Sequence, residues 1–357
     1  MSKKLFLPIG ILLLLLSSCG INDDYKQISH KEFLETHQFS IGQTTLLLND
    51  STRKRPLKTE IWYPTKDTTK FNVTAEYPFK LPPTSKDAKI IAEKFPLILL
   101  SHGTGGNRIS LMWLAGELAS NGYIVAAVDH WGNTLDNKIA ENFVKIWDRP
   151  VDISFVLNEV IHHSNFKPNI DTNKIGMVGF SLGGYTAIAL AGGSINYSLL
   201  KKFSQTQEGK KEFNLPELGD VSELMTSDII DKGNSDYKNL KDDRISTFIA
   251  LAPALGQGFN NENQFKKVKN SILIIGAKND DRAPIETNAK HYHNLIKSSK
   301  YIELEGNIGH YIFMNEAKNG LQRAAPQIFK DKGNTNRNSI HKDISTIVIE
   351  YFDKELK

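Results

Sequence analysis

The segment KIGMVGFSLGGYTAIALAG, residues 174–192, changes character at its centre. Residues 174–180 form a nearly continuous apolar run, the pattern of a strand buried on both faces of a parallel sheet. Residues 182–192 are small and apolar and predict a helix. Ser181 stands between them, with Gly179, Gly183 and Gly184 around it. A serine at so sharp a strand-to-helix turn needs neighbours without side chains for the turn to close. The turn lifts its hydroxyl to the carboxyl end of the sheet, above a helix N-terminus where negative charge is stabilised. The bare pattern G-x-S-x-G is weak. Its placement between strand and helix makes Ser181 a candidate nucleophile.

Outward from this turn, strand-like and helix-like segments alternate. Strands are predicted at 43–48, 57–63, 96–101, 123–129, 174–180, 246–252, 271–276 and 300–304, and helices at 108–121, 151–163, 182–192, 285–298 and 341–356. In the last helix Ile344, Ile347, Val348, Tyr351 and Phe352 recur at three- and four-residue spacing, which suits a helix with one face on a sheet. Two leading strands in hairpin style, then repeated strand–helix units, predict an α/β domain over 39–357 with a mostly parallel sheet of about eight strands flanked by helices. Two stretches break the rhythm. Residues 194–241 are a long charged insertion, read as a lid or substrate wall or else as surface decoration. Residues 317–340 form a second polar excursion.

A serine hydroxyl needs a base to become a nucleophile, and the base needs an orienting acid. Of ten histidines, His30 and His37 precede the domain, and His162, His163, His291, His293 and His341 fall on predicted helix surfaces. His291 and His293 point to different helix faces and make a poor metal pair. His102 and His130 follow strand ends, where each shapes a loop. His310, after the last strand, sits where a base can swing over the serine. The acid belongs on the loop after the penultimate strand, where Asp280 is better spaced than its neighbour Asp281. The developing oxyanion needs two backbone donors. These are expected to be the N–H of Leu182 and, from the glycine-rich stretch SHGTGG (101–106), the N–H of Thr104. That stretch carries neither phosphate-binding pattern, G-K-[ST] or G-x-G-x-x-G.

Composition narrows the class. The chain has 357 residues, 24% charged and 40% hydrophobic, enough for a packed core. Its 44 basic and 40 acidic residues are interspersed, so nucleic acid is not an expected partner. The single cysteine, Cys19, excludes an intramolecular disulfide framework and cysteine-rich metal sites. Before it, Lys3 and Lys4 precede an apolar run at 5–16 that is too short for a comfortable membrane span and suits a signal peptide over 1–18. LSSC (16–19) resembles the bacterial lipobox. That resemblance implies cleavage before Cys19, a diacylglyceryl group on its sulfur, and an exported protein anchored in the cell envelope, at the outer membrane or cell surface. An ordinary secretory signal and an uncleaved anchor are the other readings. Residues 19–38 then read as a tether. Oligomeric state is not legible.

In the order Ser181, Asp280, His310, the chain resembles the α/β-hydrolase superfamily from about residue 39 onward. The segments IWYP (61–64), SHGTGG (101–106), DHWGNT (129–134), WDRPVD (147–152), LAPA (251–254) and Gly309-His310 further resemble bacterial proteins predicted as dienelactone hydrolases and grouped with platelet-activating-factor acetylhydrolases. The resemblance implies hydrolysis of carboxylic esters, short-chain acyl esters foremost, through an acyl-enzyme and without metal or organic cofactor. Rival readings are a phospholipase A2-type acetylhydrolase on oxidised or short-acyl phospholipids, a polyester or polysaccharide esterase, and a non-catalytic surface binding lipoprotein. Dienelactone hydrolases use a cysteine where this chain has Ser181. The acetylhydrolases' acid position falls at Ala252-Pro253, which offers no aspartate and favours Asp280. WDRPVD reads as a helix start from Asp148 and Pro150, with a substrate role for Arg149 as the alternative.

Overall fold

The computed structural model describes residues 25–215 and 218–357; Cys19 and the expected signal peptide lie outside them. Among the described residues one main sheet holds nine strands: β1 (Ser40–Asp50), β2 (Arg55–Thr65), β3 (Thr84–Lys86), β4 (Phe95–Ser101), β5 (Ile124–Val128), β6 (Ile170–Phe180), β7 (Thr247–Leu251), β8 (Ser271–Ala277) and β9 (Ser299–Leu304). Their order across the sheet is β9-β8-β7-β6-β4-β5-β2-β1-β3. Strand β2 pairs antiparallel with β1 and β5, and every other neighbouring pair is parallel. All eight expected strands are present. The ninth, β3, is a three-residue edge strand, too short to show a periodic pattern.

Helices follow as α1 (His30–Leu34), α2 (Met112–Ser120), α3 (Asp148–His162), α4 (Leu182–Ala191), α5 (Tyr197–Ser204), α6 (Gln207–Glu212), α7 (Ser227–Ser235), α8 (Ala289–Leu295), α9 (Asn319–Ala324), α10 (Pro326–Phe329) and α11 (Arg337–Leu356). Alternation along the strands sorts side chains to two cores. Leu97 and Leu99 of β4 join Val156 and Ile188 on the α3–α4 side. Ile98 and Leu100 join Leu118, Val348 and Phe352 on the α2–α11 side. Both faces are covered, which is why the central strands are apolar at nearly every position. Among the described residues no helix is long and apolar enough to cross a membrane.

Two expectations change. The described part of the expected tether, 25–38, packs on the domain. Ser29 caps α1 in a reciprocal box with Glu32, and Phe33 is buried in the α2–α11 core. Tyr25 Oη and Gln27 Nε2 both donate to Leu81 O. The short pattern Ser29-x-x-Glu32 was the visible signal for helix α1. His341, expected on a helix surface, is buried and stacks on Trp113 at 3.7 Å. Burial pushes its imidazole down to about 3, so it stays neutral.

Candidate active site

Strand β6 ends at Phe180, and the chain turns at Ser181 with φ 55° and ψ −117° before entering α4. A positive φ on a residue with a Cβ costs on the order of 1–3 kcal/mol and persists only where the surroundings hold it. Here Ser181 N–H donates to Leu251 O at 2.9 Å, and Ala254 N–H donates to Ser181 O at 3.1 Å. A Cβ on Gly179 would run into the carbonyl of Gly183, and one on Gly183 into that of Ser101. The turn therefore closes only with glycine at both positions.

The other groups arrive from loops at the carboxyl ends of parallel strands, the side where an open α/β sheet forms its crevice. His310 opens a short turn after β9, and Asp280 follows β8. His310 Nε2 lies 3.0 Å from Ser181 Oγ, and His310 Nδ1 lies 2.7 Å from Asp280 Oδ2. Asp280 Oδ1 accepts from the N–H of Arg282 (2.9 Å) and Ala283 (2.6 Å), which turns Oδ2 toward the imidazole. Asp281 points outward, 67% exposed and 3.8 Å from Lys332 Nζ. The structure thus brings Asp280, not Asp281, to His310. The segment after His310 is pinned from behind: Trp113 Nε1 donates to Phe313 O at 2.7 Å, and His341 Nε2 donates to Ile312 O at 2.7 Å.

The loop after β4 brings Thr104 to the same place. Gly103 packs against Phe180 and Ser181, where a Cβ on it would stand 3.2 Å from the serine Cβ. Among the described residues, the backbone N–H groups of Thr104 and Leu182 donate to no protein acceptor. Both residues, with Ser181 and His310, line a cavity of about 900 Å³. Part of its apolar wall comes from each of the two segments that broke the strand–helix rhythm. Phe213, Leu215 and Met225 belong to the insertion, and Leu321, Ile328 and Phe329 to the second excursion. The insertion thus supplies part of the cavity wall.

Two polar groups on this wall escaped the sequence reading. Glu212, at the end of α6, accepts from Gln257 Nε2 at 2.9 and 3.1 Å. Burial, reinforced by the nearby Asp280 charge, pushes its carboxyl up to about 7. Arg282, two residues after Asp280, donates through Nη2 to Asn214 O at 3.1 Å and ties the acid loop to the insertion. Neither residue sits in a local motif, so nothing in the sequence marked it. Arg149 lines no part of the cavity; it is 1% exposed and reaches Ser101 Oγ and His102 O. Among the described residues no cluster of His, Cys, Asp or Glu is arranged to hold a metal ion.

Comparison with known proteins places the chain beside ester hydrolases. The sequence profile of the family described as platelet-activating factor acetylhydrolase, isoform II, matches residues 75–135. That stretch includes the Thr104 loop. Cutinase 1 of Thermobifida cellulosilytica is 24% identical over 214 residues, 58% of each chain. The cutinase of Thermobifida fusca strain YX is 24% identical over the same length, 58% of this chain and 50% of that one. The match thus spans little more than half the length of these curated relatives. A solved ferulic acid esterase from Streptomyces cinnamoneus superposes over 90% of this chain and 91% of its own, with TM-score 0.60 and 18% identity. Nine-tenths coverage by an esterase structure, and a mostly parallel sheet bearing a strained serine where β6 meets α4, show that this chain has the α/β-hydrolase fold.

Proposed function

We propose that the protein is a serine hydrolase of carboxylic esters. The observation that carries this reading is the continuous contact line Ser181–His310–Asp280 on the wall of an apolar cavity. Asp280 accepts the Nδ1–H of His310 and so leaves Nε2 as the acceptor for the serine proton. Ser181 Oγ attacks the ester carbonyl as His310 Nε2 takes that proton. The N–H groups of Leu182 and Thr104 receive the oxyanion. His310 then passes the proton to the leaving alcohol, and water activated by the same imidazole releases the acid. A fluorophosphonate probe should label the wild type and spare Ser181→Ala. The variant should remain folded by circular dichroism and lose turnover of a short-chain aryl ester. Retained turnover would sink the mechanism, and an unlabelled wild type would favour a non-catalytic binding protein.

Short-chain acyl esters are the favoured substrates, with the apolar walls accommodating a bulky group on one side of the ester. A second reading, cleavage of short or oxidised acyl chains from phospholipids, draws support from the acetylhydrolase profile match. The cutinase and ferulic acid esterase relatives support a polyester or polysaccharide ester instead. Aryl esters of increasing acyl length, a short-acyl phospholipid and an insoluble polyester, assayed side by side, separate the three. Export and lipidation of Cys19 complete the proposal. Six positions separate Cys19 from Tyr25, so an anchored domain would stand within about 20 Å of its lipid.

A further inference from the structure

The segments DHWGNT (129–134) and WDRPVD (147–152) take no part in the chemistry above, yet they meet in the interior. Asp152 Oδ2 lies 3.0 Å from His130 Nδ1, and His130 Nε2 lies 2.9 Å from Ser101 Oγ. The molecule thus contains a second Ser–His–Asp array with the same connectivity as the first. Its three members are each 0% exposed, closed to any substrate.

Each link in this array leaves the next one choice. Arg55 clamps Asp152 with Nε at 2.8 Å and Nη2 at 2.7 Å, and Arg53 Nη2 adds a contact at 2.9 Å. Opposite this carboxylate, His130 Nδ1 carries the proton, and Nε2 accepts from the Ser101 hydroxyl. Burial, with Arg149, Arg55 and Arg53 nearby, holds the His130 pKa well below the ordinary imidazole value. The backbone N–H of His130 donates to His102 Nε2 at 3.3 Å, so the proton of His102 resides on Nδ1. That Nδ1–H donates to Gly103 O at 2.6 Å, and the N–H of Gly106 donates to the same oxygen at 3.2 Å. Gly103 C=O and Thr104 N–H belong to one planar trans peptide, so anchoring the oxygen turns the N–H the opposite way. Beyond Thr104, the N–H of Gly105 donates to Asn133 Oδ1 at 3.0 Å. Arg149 donates to His102 O and fastens the near end of the loop.

We propose that Asp152, His130 and Ser101 form a positioning array which, through His102, aims the Thr104 N–H at the oxyanion formed over Ser181. This rests on the serine hydrolase reading. Ser101→Ala and His102→Leu are compared with His102→Asn, whose Nδ2 takes the place of Nδ1 and can still donate to Gly103 O. Active sites are counted by fluorophosphonate titration, which removes any effect of partial unfolding. For each titrated site, kcat and KM on a short-chain aryl ester are measured, with the inhibition constant of a trifluoromethyl ketone that adds to the serine as an oxyanion. Ser101→Ala and His102→Leu should lower kcat by about 10- to 100-fold, less than or equal to the loss of a whole oxyanion donor. KM should stay within about twofold, ketone affinity should fall in proportion to kcat, and His102→Asn should recover most of both. A purely structural role leaves kcat per titrated site and ketone affinity unchanged in both variants, and that result overturns the proposal. A wild type that takes no label refutes the underlying reading instead.

Discussion

Glu212→Gln is expected to stabilise the protein, and only at neutral and alkaline pH. Glu212 lines the cavity beside Ser181 from the insertion, bonded to Gln257 on the loop after β7. Its carboxyl is pushed up to about 7 from an ordinary value of 4.5, chiefly by burial. Below pH 4.5 the folded and unfolded chains both hold the proton, and the wild type has the full benefit of the buried neutral acid. Between 4.5 and 7 the unfolded chain alone releases it, so wild-type stability falls by about 1.4 kcal/mol for each pH unit. Above 7 both states are ionised and the loss levels off at about 3 kcal/mol, an upper value because the residue is partly exposed. Glutamine keeps an acceptor for Gln257 and never ionises. Urea unfolding of both proteins from pH 5 to 8.5 should therefore show the variant's advantage growing from under about 1 kcal/mol to between about 2 and 3. A difference that stays flat across this range refutes the assignment of a raised carboxyl at Glu212.

Asp280→Asn should lower kcat by about 10³- to 10⁴-fold through loss of the correct imidazole tautomer. Asp281→Asn should leave kcat within about twofold, since that side chain faces solvent beside Lys332. Phe33→Ala should cost about 3–5 kcal/mol in chemical denaturation, because the ring is buried and stacked on His37 at 3.8 Å; an unchanged midpoint would mean that 25–38 is a free tether after all. Cys19→Ala should move the protein from the membrane fraction to the soluble fraction with full activity on a soluble ester. Persistence in the membrane fraction counts against the lipobox reading.

Much of the architecture was legible because the relevant forces are local. The apolar runs at 96–101 and 271–276 announce strands buried on both faces, and the structure covers both faces of β4 and β8. Gly179 and Gly183 announce a turn that no larger residue allows. What stayed hidden had no period. Strand β3 is too short for alternation to register, and the insertion's part of the cavity wall, from Leu200 to Met225, is assembled from short, charged segments with no long amphipathic stripe. His341 was misplaced because its burial depends on Trp113, more than two hundred residues earlier.

By itself the sequence determined the fold class, the strained serine turn and the short set of groups able to serve it. Burial patterning and turn closure act between residues a few positions apart, so they are written in order along the chain. The sequence preferred Asp280 over Asp281 by spacing, but only the tertiary structure shows which of them meets His310, because adjacent side chains diverge and only one reaches a histidine 30 residues away. Packing likewise made a cavity wall of the insertion and a docked segment of residues 25–38. It also joined Arg55, Asp152, His130 and Ser101 behind Thr104. Those contacts link residues 22 to 97 apart, and no local rule of the chain specifies which partner a buried polar group finds across that distance.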